Sequence, residues 1–292
     1  MTVSDTKKLI DSKLSNPDFD ILTKIKNCTF TSHNIPLTHS ESTLGYNIPL
    51  LSDDIRTQVI KNNLHIFTGK RESLSGFRLL DLGCLEGGLS FEMASEGMDV
   101  LGIEGRESNF LKCQLIQDYF NLPNLNFLLL DVKNLDKSKH GVFDIILCCG
   151  LLYHLNNPFS FLELLNSITH DKSILFLDTH FAPPDDKLLD MCKFKDNLSN
   201  IESLTYSGIK YEGRWYREHS DNVDQSNDPW ASVSNALSFW PTFESLIKAL
   251  NNANFMHIYN LYGGFRDTDY EFKIRKEFSR LYCFALKETY FE

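Results

Sequence analysis

The 292-residue sequence has no apolar run long enough to span a bilayer, and its first residues, MTVSDTKKLIDSKL, lack the apolar core of a signal peptide. It also has no evident basic stripe. Its formal net charge is -10, although a local basic patch can lie within an acidic total. We therefore expect a cytoplasmic protein with no membrane partner, and a nucleic-acid substrate is disfavoured without being excluded.

The seven cysteines form no CxxC pair, and four of them lie inside apolar runs. This usage is typical of small core residues in a reducing compartment and not of a zinc site or a disulfide framework. We therefore expect no metal. The length and the 42% hydrophobic content suit one large α/β domain with additions, or two smaller domains.

Residues 77–106 contain the most informative stretch, FRLLDLGCLEGGLSFEMASEGMDVLGIEGR. Two short apolar runs, each ending in an acid, flank a glycine-rich turn and a segment with helical spacing, which predicts a βαβ unit. A glycine-rich turn lets the backbone approach a ligand, and an acid about 20 residues further on can accept both hydroxyls of a ribose. The unit therefore predicts a nucleoside site.

The turn lacks the middle glycine of the dinucleotide fingerprint, because Leu85 stands in its place. Asp81 ends the preceding strand, where a carboxylate would repel a pyrophosphate and attract a cation. S-adenosylmethionine carries two cationic groups, a sulfonium and an ammonium. The stretch DLGCLEG at residues 81–87 resembles the first motif of the class I S-adenosylmethionine-dependent methyltransferases, which reads acid, x, Gly, x, Gly, x, Gly.

A second stretch resembles the same family at the expected later strand. Residues 142–158, VFDIILCCGLLYHLNNP, match the form of its fourth motif that ends with Tyr-His-Leu and Asn-Pro. Enzymes that modify the tRNA wobble uridine share this form with many small-molecule methyltransferases. The pair Asp131-Val132 matches the family position that meets the adenine amino group, and capping of the turn after a strand is an equal alternative for Asp131.

The resemblance implies S-adenosylmethionine as cofactor and S-adenosylhomocysteine as product. The residues expected to bind the cofactor are Asp81, Gly83, Cys84, Leu85, Gly87, Glu104, Gly105, Arg106, Asp131, Val132, Cys149 and Gly150.

The resemblance also implies a Rossmann-like α/β fold, a seven-stranded mostly parallel sheet with helices on both faces, whose last two strands form a hairpin-like pair. We expect an N-terminal helical extension at 1–70, the core cofactor-binding part at 71–181, a substrate lid inserted after the fifth strand at 182–241, and the rest of the sheet at 242–292.

Within these parts, the pattern predicts a helix over 52–67 capped by Ser52, a helix over 185–198, and a long irregular aromatic stretch in the lid. A helix capped by Thr242 follows the lid.

Methyl transfer to an oxygen usually needs a base, and histidine serves well. His154 and His180 are the catalytic candidates because both follow strands at the carboxyl edge of the sheet, and His219 in the lid is a third. A packing or capping role is an equal alternative for His154 and the favoured one for His180.

The substrate candidates share an aromatic or cationic side chain that can stack on a ring or hold a carboxylate or phosphate. They are Tyr153, Arg214, Trp215, Tyr216 and Arg217, and the alternative for the two arginines is a salt bridge with Glu212 or Glu218.

The leading hypothesis is methyl transfer from S-adenosylmethionine to oxygen or nitrogen of a small molecule, such as a sugar or another secondary metabolite. Two alternatives stay open: modification of the tRNA wobble uridine, and a catalytically silent nucleoside-binding protein that acts through a partner. The sequence names neither the acceptor nor the oligomeric state.

Overall fold

The computed structural model describes residues 2–218, 232, 235–261 and 279–287. Its α-helices are α1 (Val3–Ser15), α2 (Phe19–Lys26), α3 (Ile55–Thr68), α4 (Gly88–Ser95), α5 (Glu107–Phe120), α6 (Lys137–His140), α7 (Pro158–Ser167), α8 (Asp186–Met191) and α9 (Phe243–Asn252). Its strands are β1 (Arg78–Leu82), β2 (Asp99–Glu104), β3 (Leu125–Leu129), β4 (Phe143–Cys149), β5 (Thr169–His180), β6 (Glu202–Tyr206), β7 (Ile209–Arg217), β8 (Leu237–Pro241), β9 (His257–Asn260) and β10 (Arg280–Leu286). The catalytic candidate His219 lies outside the described residues.

Seven of these strands form one sheet in the order β3-β2-β1-β4-β5-β10-β9. Strand β2 runs parallel to both β1 and β3, and the helices between them supply the crossovers that parallel pairing requires. Strand β10 runs antiparallel to both β5 and β9. The prediction of a Rossmann-like, mostly parallel sheet that ends in a hairpin-like pair is confirmed.

The described residues divide into two compact units. The first comprises residues 2–134 and 143–146, and the second comprises 135–142, 147–218, 232, 235–261 and 279–287. Leu79, Leu80 and Leu82 of β1 are fully buried in the first unit, as are Leu175 and Leu177 of β5 in the second. Strands covered on both faces carry such continuous apolar runs, which is why the sequence revealed them.

The predicted start of the third helix at Ser52 is wrong. Residues Leu51–Asp53 form a short 3-10 turn, and α3 begins after Asp54, whose carboxylate accepts the N–H of Thr57 at 3.1 Å. Ser52 and Asp54 are both good capping residues, and only the chain path selects between them. The predicted cap of α9 at Thr242 is confirmed.

The segment after β5 differs most from expectation. The helix predicted over 185–198 ends at Met191, because Cys192 adopts an extended conformation with ψ 135°. The stretch expected to be irregular contains β6, β7 and β8, which form a three-stranded antiparallel sheet. Ser207 and Gly208 join β6 to β7, both with positive φ (48° and 77°), which suits a two-residue hairpin turn.

Candidate functional site

In the first unit, the glycine-rich turn connects β1 to α4 through three residues in the left-handed region. Gly83, Leu85 and Gly87 have φ values of 65°, 55° and 76°. A Cβ at Gly87 would lie 2.7 Å from the ring of Phe127, so only glycine fits there without movement. Leu85 adopts the conformation that a glycine would take, at a cost of about 1–2 kcal/mol for a residue with a side chain.

Glu104 at the end of β2 holds this turn in place. Its Oε2 accepts the N–H of Leu85 at 2.9 Å, and its Oε1 accepts the N–H of Arg106 at 2.8 Å. Burial raises the pKa of Glu104, and the backbone hydrogen bonds partly oppose that rise. The residue predicted to accept the ribose hydroxyls therefore also fixes the backbone of the turn.

Asp81 is a buried carboxylate whose position fits a cationic ligand. It is 1% exposed and accepts the Ser90 hydroxyl at 2.7 Å. Burial raises the pKa of Asp81 to about 6, while the bond from Ser90 opposes the rise. Within the described residues it forms no salt bridge, and a buried carboxylate gains from a cation beside it. The sulfonium and ammonium of S-adenosylmethionine match that requirement.

Glu86, inside the turn, binds the N-terminal segment, a contact that sequence reasoning missed. Its fully buried carboxylate accepts the backbone N–H groups of Thr31, Ser32 and His33 at 2.8, 3.1 and 3.0 Å, and the Nζ of Lys112 at 2.8 Å. Burial favours a higher pKa for Glu86, but the bonds from Lys112 and the backbone outweigh it and lower the pKa. We call residues 31–33 the N-terminal clasp.

His33 fastens the clasp on the other side of Gly87. Its Nδ1 accepts the N–H of Gly88, the first residue of α4, at 3.0 Å. Burial lowers the pKa of His33 to about 4, against the opposing charge of Glu86, so the imidazole is neutral near pH 7. Partners 53 to 55 residues apart leave no local sequence pattern, so only the tertiary structure reveals the clasp.

Several other predicted cofactor residues lie around this turn. Cys84 is buried with its Sγ 3.8 Å from that of Cys113, and burial raises the pKa of the Cys84 thiol. Asp131 is partly exposed and accepts the N–H of Lys133 at 3.0 Å, so it caps the turn after β3 and also presents carboxylate surface. The remaining members of this set are Val132, which is buried, and Gly105 and Arg106, which are half-buried before α5. Cofactor contact by each stays a prediction.

In the second unit, the chain leaves β4 through Cys149 and Gly150, which are both half-buried. Gly150 has φ 73°, and its N–H donates to the carbonyl of Asp178 at 2.9 Å. The 3-10 turn Leu152–His154 follows immediately. The indole Nε1 of Trp240 donates to the Tyr153 carbonyl at 2.8 Å, which ties this turn to β8.

His154 forms a pair with a buried carboxylate. Its Nδ1 lies 2.8 Å from Glu218 Oε2, and the two side chains are 17% and 2% exposed. The Ser238 hydroxyl donates to the other oxygen of Glu218, and the Asn235 side chain donates to the His154 carbonyl at 3.0 Å. The sequence suggested Glu218 only as a partner for an arginine, because nothing local relates positions 154 and 218.

His180 lies in an aromatic cluster instead. Its ring stacks on Trp240 at 4.7 Å between centroids and 7° between planes, and it contacts Tyr153 and Phe194 edge-on at 4.6 and 5.1 Å. Tyr216 stacks on the other ring contact of the cluster, Trp240, at 4.4 Å. These contacts favour the packing role for His180, and its catalytic role stays a prediction.

The predicted substrate residues of β7 are separated by the alternation of the strand. Arg214 is fully buried and donates to the carbonyls of Pro183 and Ser199 at 2.8 and 2.9 Å, and to Asp186 at 3.2 Å. Its guanidinium thus joins protein segments. Of the others, Tyr216 joins the aromatic cluster, Trp215 packs edge-on against Phe239 at 5.1 Å, and Arg217 is exposed.

A family profile described as a methyltransferase domain matches residues 73–223, more than half of the chain. The chain belongs to the methyltransferase domain family. Its predicted assignment to the class I, S-adenosylmethionine-dependent methyltransferases is confirmed, with S-adenosylmethionine as cofactor and S-adenosylhomocysteine as product.

Two curated relatives and one solved structure illustrate the similarity. A tRNA U34 carboxymethyltransferase from Campylobacter fetus is 29% identical over 171 residues, 58% of each chain. A ubiquinone biosynthesis O-methyltransferase from Acinetobacter baumannii is 28% identical over 106 residues, 36% of this chain and 45% of the relative. The chain thus spans roughly half the length of these relatives.

The N-terminal domain of EvdMO1, crystallised with S-adenosylhomocysteine and D-fucose, superposes with a TM-score of 0.63. It is 22% identical, and the match covers 91% of this chain and 94% of that one, which demonstrates a shared fold.

Two searches concern other kinds of site. Among the described helices, none is long and apolar enough to cross a membrane. In the same part of the chain, no group of three or more histidine, cysteine, aspartate or glutamate side chains is placed to hold a metal ion.

Proposed function

We propose that this methyltransferase transfers a methyl group to a hydroxyl oxygen of a small-molecule acceptor, with His154 as general base and Glu218 as the residue that positions it. The observation that carries the proposal is the 2.8 Å contact between His154 Nδ1 and the nearly buried Glu218 carboxylate. A carboxylate at Nδ1 selects the tautomer with the proton on that nitrogen, which leaves Nε2 as the basic atom.

S-adenosylmethionine, when bound, supplies an electrophilic methyl carbon and a neutral thioether leaving group. The acceptor oxygen forms a bond to that carbon while the carbon–sulfur bond breaks, with its electron pair passing to sulfur. His154 Nε2 takes the hydroxyl proton, and the Glu218 charge stabilises the imidazolium that forms. Each charge created at the acceptor is thereby neutralised within the chain.

The pair favours an oxygen acceptor over a nitrogen acceptor. A neutral amine already offers a free lone pair, whereas a hydroxyl becomes a good nucleophile only as its proton departs. A positioned base contributes about 10²–10⁴ in rate to such reactions. A buried carboxylate that orients a histidine would be unnecessary for a reaction in which alignment alone suffices.

A sugar or another polyhydroxylated secondary metabolite is the acceptor class that we propose first. The aromatic rings of Tyr153, Tyr216 and Trp240 lie within one cluster and offer faces on which a sugar ring can pack. EvdMO1 shares only the fold, so its printed ligand, D-fucose, guides the choice of first acceptor to test.

The alternative acceptor is the wobble uridine of tRNA, because one relative is named a tRNA U34 carboxymethyltransferase. The net charge of -10 speaks against it, since binding of a phosphate backbone relies on lysine and arginine. The remaining alternative, a silent nucleoside-binding protein, predicts cofactor binding without turnover of any acceptor.

The test is formation of S-adenosylhomocysteine in the presence of D-fucose, other neutral sugars and tRNA, followed by variants assayed with the acceptor found. We expect His154→Gln to lower kcat by about 10²–10⁴ and Glu218→Gln to lower it less, with unchanged affinity for S-adenosylhomocysteine. The wild type should lose activity at acidic pH, and His154→Gln should lack that dependence.

His257→Gln, a change at an exposed histidine of β9, serves as the matched control and should leave kcat unchanged. Equal kcat for His154→Gln and the wild type would refute the base assignment. Turnover of tRNA alone would replace the small-molecule proposal.

A further inference from the structure

A second charged pair of the second unit, outside the predicted site residues, lies beside Tyr153. Arg280, the first residue of β10, donates from Nε to Asp178 Oδ1 at 2.5 Å and from Nη2 to Asp178 Oδ2 at 3.0 Å. Asp178 is fully buried in β5, whereas the Arg280 side chain is 24% exposed. The carboxylate therefore fixes the guanidinium while part of its surface stays accessible.

The guanidinium and the Tyr153 hydroxyl converge on Gly150, at the exit of β4. A Cβ at Gly150 would lie 3.4 Å from the Tyr153 hydroxyl and 3.7 Å from Arg280 Nη2. The guanidinium carbon lies 5.6 Å from the centre of the Tyr153 ring. A glycine here leaves space beside two hydrogen-bond donors, which is how a polar group of a ligand can be held.

The charges around Tyr153 decide which polar group suits this place. The charged groups that act on its hydroxyl are Arg280, Asp178 and Glu218. One guanidinium thus faces two buried carboxylates, and His154 is neutral while it acts as a base. The local charge is negative, so an anion would be repelled, whereas an uncharged oxygen can still accept from the guanidinium.

A guanidinium has five N–H donors, and the bidentate contact with Asp178 uses two. An arginine compensated in this way offers directed hydrogen bonds without a net positive field. The face of the adjacent Tyr153 ring supplies an apolar surface. Directed donors beside an aromatic face suit the alternating hydroxyls and C–H groups of a sugar.

We propose that Arg280, held by Asp178, is a specificity-determining residue that binds a hydroxyl or ring oxygen of an uncharged polyhydroxylated acceptor, and that Asp178 and Glu218 exclude anionic acceptors. This inference rests on the proposed function for its choice of acceptor class. It adds the residue that recognises the acceptor and the charge that the acceptor lacks.

The experiment compares pairs of sugars that differ in one charge. The probes are D-fucose and D-galactose against D-galacturonate, and D-glucose against D-glucuronate, bound to protein saturated with S-adenosylhomocysteine and followed by saturation-transfer NMR. We expect at least one neutral sugar to bind about tenfold more tightly than its uronate. No turnover is involved, so failure of the His154 assignment leaves this readout intact.

Variants then separate recognition from folding. Arg280→Gln should weaken neutral-sugar binding about tenfold or more, and Arg280→Lys should restore part of it, while the affinity for S-adenosylhomocysteine stays constant. Asp178→Asn removes one negative charge and should improve uronate binding relative to the neutral sugar, a reversal that mere loss of packing would not produce. Arg71→Gln, at an exposed position of the first unit, is the control.

Preference of the wild type for the uronates would overturn the proposal, as would unchanged neutral-sugar binding by Arg280→Gln. Binding of none of the sugars would overturn the polyhydroxylated class. If Asp178→Asn fails to fold, the comparison of Arg280→Gln with Arg280→Lys decides the question alone.

Discussion

The backbone N–H of His33 donates to Glu86 Oε2 at 3.0 Å, and the imidazole of the same histidine accepts the N–H of Gly88 at 3.0 Å. These two bonds attach the N-terminal clasp to both ends of the dipeptide that closes the glycine-rich turn. Glu86 is fully buried, so its charge depends on these donors and on Lys112. The clasp is therefore part of what gives the turn its shape.

Replacing Glu86 should loosen both the fold and the turn. Glu86→Gln removes the charge and one acceptor oxygen, places an NH₂ group against backbone donors, and leaves Lys112 without its partner. We expect a loss of about 3 kcal/mol in the free energy of unfolding and weaker binding of S-adenosylhomocysteine. Urea denaturation and calorimetry measure the two effects. Glu107→Gln, on the exposed first turn of α5, should change neither, and equal midpoints for the two variants would contradict the prediction.

His33 should make the protein less stable in acid. Its pKa is about 4 in the folded state, below the ordinary value of about 6.5, so the unfolded chain binds a proton that the folded chain does not. The contribution is complete above about pH 6.5 and is lost as the pH falls towards 4, by up to about 3 kcal/mol. His33→Gln, which keeps a neutral acceptor at every pH, should flatten this part of the curve of unfolding free energy against pH. His39→Gln, an exposed change in the same segment, should follow the wild type, and three parallel curves would refute the assignment.

Asp81 should release protons when the cofactor binds. With a pKa of about 6 in the free protein, it is about half protonated at pH 6, and a cation beside it lowers that pKa. Binding of S-adenosylmethionine at pH 6 should therefore release up to about half a proton. Calorimetry in two buffers with different ionisation enthalpies measures this quantity directly. Asp81→Asn should bind more weakly and release none from this site, whereas identical heats in both buffers for the wild type would be the contrary result.

The same raised pKa has the opposite sign for stability of the free protein. A carboxyl that protonates more readily when folded stabilises fully below about pH 3.9, and this contribution disappears as the pH rises through about 6. The Asp81 and His33 effects oppose each other between pH 4 and 6, so each should be read from the difference between its variant and the wild type.

Leu85 should show an inverted preference between alanine and glycine. Because its φ is 55°, alanine would keep the left-handed strain that glycine removes. We expect Leu85→Gly to be about 1 kcal/mol more stable than Leu85→Ala. At Leu111, an exposed position within α5, the order should reverse by about the same amount, because glycine is the poorer helix former. Thermal unfolding of the four variants tests this, and an equal order at both positions would show that the turn carries no such strain.

The parts of the protein that the sequence revealed are those encoded within a few residues. Continuous apolar runs marked β1, β4 and β5, and the spacing of acids and glycines marked the cofactor turn around Gly83 and Gly87. Capping residues marked the start of α9 but misplaced that of α3, since Ser52 and Asp54 are similar candidates two residues apart. The strands β6 to β8 were missed because their aromatic and polar residues do not alternate in a way that distinguishes strand from loop.

The sequence by itself determined the fold class, the family and the residues at the ends of the strands, because these depend on local periodicity and short motifs. Only the tertiary structure decided which partners those residues have. It joined Glu86 to the clasp, His154 to Glu218 and Asp178 to Arg280, pairs that are 53 to 102 residues apart. A buried charge is defined by what surrounds it, and its surroundings come from distant parts of the chain, so neither spacing nor composition could predict those pairs.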